Sequence, residues 1–204
     1  MPVQHNNRAR RHTPPSVIAA LVIAVLALTG CSSPVAEHTP PASGDAIIAD
    51  HGLEGLDAKQ IIEKLDTMLL ADRPSDLIAS VRPRELLLTD DQERASTVPM
   101  PDDEFYVSLA PYVDHTHECF FHSLTTCRGE LQNEDIDVTV VDDATAETVI
   151  DQTLRTYDNG FIGLWLPRGL NATLTIQHEG RTVTSAISTI SDEDPTCLTA
   201  LRLL

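Results

Sequence analysis

Beyond Glu104 the chain breaks into short apolar or alternating stretches separated by turn residues, and that pattern is what most restricts the folds open to it. Ile136, Val138 and Val140 alternate with Asp135, Asp137 and Thr139, so residues 135–141 present one apolar face, as a half-buried strand does. Residues 148–153 answer it across a turn at 142–147. Asp158-Asn159-Gly160 is a second turn, and 161–166 is then apolar at every side chain, as in a strand covered on both faces. Trp165, within it, is expected in the core. Residues 172–177 and 181–189 flank Glu179-Gly180 as a hairpin, and 105–112 is a further strand. Six or so short strands with tight turns predict a small, mainly antiparallel β domain over 99–204, sandwich or barrel-like. There is no fixed-period repeat and no glycine-rich phosphate loop.

Ahead of this region the period changes. Residues 53–71 open with a helix start: Asp57 can cap, Gln60 follows three residues later as in a capping box, and Leu56 with Ile61 has hydrophobic-staple spacing. Ile61, Leu65, Met68 and Leu69 form one apolar stripe, and Pro74 ends the helix by disfavouring helical backbone at Arg73. A short second helix over 75–80 and a strand near 84–88 follow. The acidic, polar stretch 89–104, with Pro99 and Pro101, reads as a linker. The expected fold is therefore α+β, a small helical region with its linker at 46–98 followed by the β-rich 99–204.

The first residues read as an address. Arg8, Arg10 and Arg11 precede an apolar run over 17–28. At about a dozen residues this is short of the ~20 that a spanning helix needs and suits a signal-peptide core. Leu28-Thr29-Gly30-Cys31 is a bacterial lipobox, with small residues for the peptidase cleft and a thiol for acylation. Residues after Arg10-Arg11 do not follow the twin-arginine pattern, so general export is expected. Residues 1–30 are thus a lipoprotein signal peptide, Cys31 the lipidation point, and 31–45, with Pro34, Pro40, Pro41, Ser43 and Gly44, a flexible tether. The expected location is a membrane surface facing the periplasm or the cell exterior.

Composition excludes several functions. Of 204 residues 42% are hydrophobic, enough for a packed core. Fourteen Lys and Arg stand against 31 Asp and Glu, a net charge of −17 that becomes −20 once residues 1–30 take three arginines and no acid with them. Such a chain is not a nucleic-acid binder, because phosphate contacts need clustered cations, and it lacks a polybasic grip on anionic lipid.

The chemistry lies in a sulfur and imidazole cluster. His115, His117, Cys119, His122 and Cys127 fall within thirteen residues, and the remaining cysteine besides Cys31 is Cys197. An odd number of thiols in an oxidising compartment leaves one unpaired or a disulfide in exchange. Alternatively, three thiolates complete a site for a soft ion: sulfur selects copper(I), and imidazole suits copper and zinc. Cys119 and Cys127 are eight apart, too far for a zinc knuckle. If extended, His115, His117 and Cys119 share one strand face, which can chelate a metal or simply form a polar edge. The histidines are equally ordinary hydrogen-bonding groups, and one disulfide with one buried thiol accounts for the cysteines. The acidic groups at 102–104, 142–143 and 192–194 lack EF-hand spacing and read as solvated turns. Ser123 beside His122 lacks a nucleophile elbow, and no C-x-x-C redox motif is present.

The cysteine-bearing segment resembles the CueP family of periplasmic copper-binding proteins. The resemblance is carried by Phe105-Tyr-Val-Ser-Leu-Ala-Pro-Tyr112, Thr116-His117, Cys119, His122-Ser-Leu-Thr-Thr-Cys127 and Gly129-Glu130-Leu131. It continues in Asn159-Gly-Phe-Ile-Gly-Leu-Trp-Leu-Pro167 and Pro195-Thr-Cys197-Leu-Thr199, and more weakly in Leu77-Ile-Ala-Ser-Val-Arg-Pro83 and Glu85-Leu-Leu-Leu88. It spans roughly residue 50 to the C-terminus; the lipobox departs from a family whose members are soluble. The resemblance implies an N-terminal dimerisation region, here 46–98, and a copper-binding region, here 99–204. It implies Cys119, Cys127 and Cys197 as ligands of copper(I), with zinc the weaker alternative, and His117 and His122 as candidate additional ligands; His115 is not carried over. It also implies copper resistance, exchange of copper with a donor or recipient protein outside the cytoplasm, and a homodimer. The rival function is a thiol-dependent reductase or disulfide-exchange protein acting on copper(II), iron(III) or protein disulfides.

Overall fold

The computed structural model describes residues 43–204; the expected signal peptide, the expected lipidation point Cys31 and most of the expected tether lie outside them. Among the described residues ten strands make three sheets. The first, β1 (Leu77–Val81), β2 (Glu85–Asp90) and β3 (Ala95–Pro99), is an antiparallel meander. The second has the order β10 (Cys197–Arg202), β4 (Glu104–Tyr112), β7 (Ile162–Pro167). The third runs β6 (Thr148–Arg155), β5 (Asp135–Asp142), β8 (Asn171–His178), β9 (Arg181–Ser188). Helices α1 (Ser43–Asp50) and α2 (Ala58–Asp66) precede the strands.

The strands at 105–112, 135–141, 148–153, 161–166, 172–177 and 181–189 all appear, within a residue or two of their expected ends. The fold is mostly β with few helices, and its sheets are open, so the barrel-like option is excluded. The second and third sheets share one core: Phe105, Val107 and Leu109 of β4 and Ile162, Leu164 and Leu166 of β7 meet Ile136, Val138 and Val140 of β5 and Leu174 and Ile176 of β8.

β4 is buried on both faces. Its other side presents Tyr106 to a second core made by Ile61, Ile62 and Leu65 of α2 with Leu77, Ala79, Val81, Leu86 and Leu88 of the first sheet. Helix α2 has the expected capping box: the Gln60 amide donates to Asp57 Oδ1 at 2.9 Å, and the Asp57 amide donates to Gln60 Oε1 at 3.0 Å. The helix ends earlier than its apolar stripe suggests, at Asp66. Beyond it Leu69 is extended and exposed, and the Leu70 amide is held by Asp158 Oδ2 at 2.8 Å.

The strands depart from expectation in three places. Residues 75–80 are strand, not helix: Leu77, Ala79 and Val81 alternate inward and pair with β2, a non-local contact that so short a window cannot reveal. The stretch read as a linker contains β3, an exposed edge strand whose polar composition hides it. β10 is an unexpected strand, parallel to β4 and too close to the chain end to show a period. Trp165 is half-buried, its ring 4.9 Å from that of Tyr106 with the Lys59 ammonium 4.8 Å above it.

Glycine at 163 is what lets Tyr106 cross the sheet, because a Cβ there would fall on the Tyr106 hydroxyl. Gly163→Ala should therefore cost roughly 1–3 kcal/mol, the usual penalty for an overpacked core, read as a lower urea midpoint. A midpoint equal to that of the parent protein would contradict this packing.

Candidate metal centre

The chain from Val113 to Glu134 has no strand of its own, so its backbone groups must be satisfied by neighbours. The His122 carbonyl accepts from the Val81 amide at 2.8 Å, and the Leu124 amide donates to the Ala79 carbonyl at 2.9 Å. These bonds, with a bridge between Ser80 and Ser123, extend the edge of β1. The Phe120 carbonyl takes the Thr196 and Cys197 amides at 3.0 and 3.1 Å, which fastens the loop to the start of β10. Arg73 Nη1 donates to the Cys127 carbonyl at 2.8 Å. Glu130 receives the His115 amide at 2.9 Å and the Asp114 amide at 3.1 Å. Gly129 and Gly160 pack backbone to backbone, a closeness no side chain would permit at either position.

These anchors bring Cys119 and Cys127 of the loop to Cys197 of β10. Cys119 and Cys197 form a disulfide with Cα atoms 5.7 Å apart, and Cys127 Sγ lies 3.6 Å from Cys119 Sγ as a free thiol. Of the three disulfides that three thiols could form, the structure holds Cys119–Cys197 and leaves Cys127 as the thiol. Cys197 is buried, and Cys119 and Cys127 are half-buried around Phe161 and Ala110. Donor atoms of His117, Cys119 and Cys127 all lie within 4.8 Å of one another, as do those of His122, Cys127 and Cys197, so Cys127 belongs to both groups. The histidines differ in setting: His117 is exposed, whereas His122 is fully buried with its ring 4.6 Å from that of Phe161. His115 is in neither group, its exposed ring 3.6 Å from Glu130. Residues 115–119 are loop, so the shared strand face that an extended segment would give His115, His117 and Cys119 does not form.

Behind the thiols lies a buried polar network whose members no sequence motif links. His122 Nε2 is 2.9 Å from Asp66 Oδ1 at the end of α2. Asp66 Oδ2 accepts from the Tyr106 hydroxyl at 2.6 Å, and Asn159 Nδ2 donates to Asp66 Oδ1 at 2.8 Å. Asn159 Oδ1 accepts the Phe161 amide at 2.8 Å, holding the ring that lies beside His122. One clue was legible: Asp66 is four residues after Ile62, a carboxylate on an apolar helix face. Tyr106 and Asn159 carried no comparable mark.

Burial disfavours charge on both members of the pair, but their mutual attraction wins. It lifts the His122 pKa to about 9 and draws Asp66 below the usual carboxylate value. Burial pushes the Cys127 thiol up, yet the adjacent His122 and the Ser123 amide, 3.4 Å from its sulfur, draw it down below the ordinary thiol value. The arrangement can stabilise a thiolate among soft donors, the chemistry needed to hold a thiophilic cation or to exchange a disulfide.

The chain matches the family model described as periplasmic copper-binding protein CueP over residues 60–202. It is also similar to a solved crystal structure, that of S.CueP, with 42% sequence identity and a TM-score of 0.73. The similarity covers 80% of this chain and 98% of that one. No curated protein matches the chain.

The linked titration has a definite sign. His122, raised from about 6.5, stabilises the fold fully below that pH and ceases to do so as pH climbs through about 9. Asp66, lowered from 3.8, contributes above that value and is lost on acidification through its folded pKa. In a Cys127→Ser background, which removes the opposing thiol titration, urea unfolding should show stability falling from pH 6.5 to 9.5. Adding His122→Asn should flatten that limb; a persistent slope would assign it elsewhere.

Proposed function

Because this chain belongs to the CueP family of periplasmic copper-binding proteins, we propose that it holds copper(I) outside the cytoplasm through the thiolates of Cys119, Cys127 and Cys197. Its role is that of a buffer or metallochaperone in copper resistance. The observation that carries this reading is the meeting of three sulfurs from two distant parts of the chain, with Cys127 Sγ 3.6 Å from Cys119 Sγ. Soft donors favour copper(I), while the nearby imidazoles also suit zinc, which is the weaker competitor.

Loading begins with reduction of Cys119–Cys197 by an external dithiol, which supplies two electrons and two protons and becomes a disulfide itself. The three thiols then give up their protons as they take the ion, so affinity falls in acid. His122 draws the Cys127 thiol towards the thiolate, the form in which sulfur binds a metal. Copper leaves by ligand exchange to a recipient protein outside the cytoplasm. Residues 99–204 form the copper-binding region, and 46–98 supply the dimer contact.

In anaerobic competition against a copper(I) chelator, each Cys→Ser variant should lose at least about tenfold in affinity, ~1.4 kcal/mol. Unchanged affinity in all three would overturn the thiolate site. Acylation of Cys31 after removal of residues 1–30 tethers the domain to the membrane. Mass spectrometry of the membrane-extracted protein should find residues 1–30 removed and Cys31 acylated. A chain that keeps residues 1–30, or whose Cys31 thiol is free, would argue against the lipid anchor.

A second reading is favoured by the same disulfide with a free thiol at van der Waals distance. Two thiolates closing to a disulfide release two electrons, enough to reduce two copper(II) to two copper(I), and a dithiol donor would reset the pair. Multiple turnovers in the presence of such a donor support a reductase; a single stoichiometric burst supports the buffer.

A further inference from the structure

We infer that Asp66 is a positioning residue that presents Nδ1 of His122 to the sulfur cluster, so that copper(I) in this site takes a nitrogen ligand together with thiolates. The inference deepens the proposed function and rests on it. The two ring nitrogens of His122 face different chemistry. Nε2 is 2.9 Å from Asp66 Oδ1, and an ionised carboxylate only accepts, so the proton in that contact sits on Nε2. Nδ1 faces the other way, 3.9 Å from Cys197 Sγ, and the ring offers a nitrogen within 4.8 Å of both Cys127 and Cys197 sulfurs. When an ion replaces the proton on Nδ1, what remains is a neutral imidazole whose second N–H is held by a carboxylate, the usual support of a metal-bound histidine.

The orientation of each partner is over-determined. Asp66 Oδ2 is occupied by the Tyr106 hydroxyl, and Asn159 Nδ2 donates both to Asp66 Oδ1 at 2.8 Å and to the Asp66 carbonyl at 3.0 Å. The carboxylate therefore cannot turn away from the ring without breaking several buried bonds. The His122 backbone is fixed by its own amide donating to Thr196 Oγ1 at 3.1 Å, while Thr196 donates to the Val81 carbonyl at 2.6 Å. Phe161 lies against the imidazole and closes it off from water. His117, by contrast, is exposed, and among the described residues no side-chain hydrogen bond orients its ring. Of the two candidate imidazoles, His122 alone is set in one orientation before an ion arrives, which is the preorganisation a ligand needs.

The test uses the mature chain, reduced and loaded anaerobically with copper(I), a diamagnetic ion that leaves nuclear magnetic resonance usable. Long-range ¹H–¹⁵N spectra should show His122 protonated at Nε2, with the Nδ1 resonance displaced on loading. Asp66→Asn should weaken copper(I) binding about 10- to 100-fold, the range for loss of such a supporting group, and His122→Gln at least as much. A His122 ring indifferent to copper would overturn the inference, as would an Asp66→Asn protein with native near-ultraviolet dichroism and affinity within twofold of the parent. If Asp66→Asn does not fold, the spectrum of the parent protein decides. Loss of copper affinity in the cysteine variants, together with a parent His122 ring that copper leaves unmoved, would remove this inference and leave the thiolate site standing. Cysteine variants that keep full affinity would remove both.

Discussion

A strand buried on both faces must be wrapped by two separate layers, and β4 imposes that requirement on this protein. Phe105, Val107 and Leu109 are covered by the four-stranded sheet, while Tyr106, Ser108 and Ala110 need a second cover. Helix α2 and the β1–β3 meander supply it over Tyr106, and the cysteine loop with the start of β10 supplies it over Ala110. The thiols are therefore part of the second cover, and the site sits at the seam where helix, meander, loop and β10 meet. A loop without strands of its own keeps a single shape there because its carbonyls and amides are taken by β1, β10 and Arg73.

Within that seam the chain retains a buried ion pair where apolar packing would serve stability as well or better. Replacing one member alone leaves a buried charge without a partner, which typically costs about 3–5 kcal/mol, so Asp66 and His122 are held together by the fold once either is present. The pair also does something an apolar pair cannot: its imidazole favours the thiolate form of Cys127 in an otherwise acidic protein. An overall charge of −17 disfavours anionic ligands and partners and suits a cationic cargo.

How much of this was legible depends on the range of the interaction. The capping box at Asp57 and Gln60, the alternating strands at 135–141 and 172–177, and the Glu179-Gly180 turn rest on neighbours within a few residues, so local pattern reveals them. β1, β3 and β10 are strands only because a partner elsewhere in the chain completes their hydrogen bonds, and their short or polar sequences offer no period to read. The same distinction runs through the site. Cys119, Cys127 and Cys197 stand out by chemistry, since thiols are scarce and reactive, and His117 and His122 stand out by nearness to them. Asp66, Tyr106 and Asn159 do not, because a single Asp, Tyr or Asn has no distinctive local context.

The amino-acid order alone therefore determined the β character of residues 99–204, the start of α2 and the set of soft donor residues. Those are consequences of side-chain periodicity and of functional-group chemistry, both carried by the residues themselves. Tertiary structure alone decided that Cys119 bonds to Cys197 across 78 residues with Cys127 left free, and that an aspartate from the N-terminal helix stands behind His122. Those outcomes follow from how two cores close around β4. Such closure joins groups far apart in the chain through packing and desolvation, neither of which a local stretch of sequence contains.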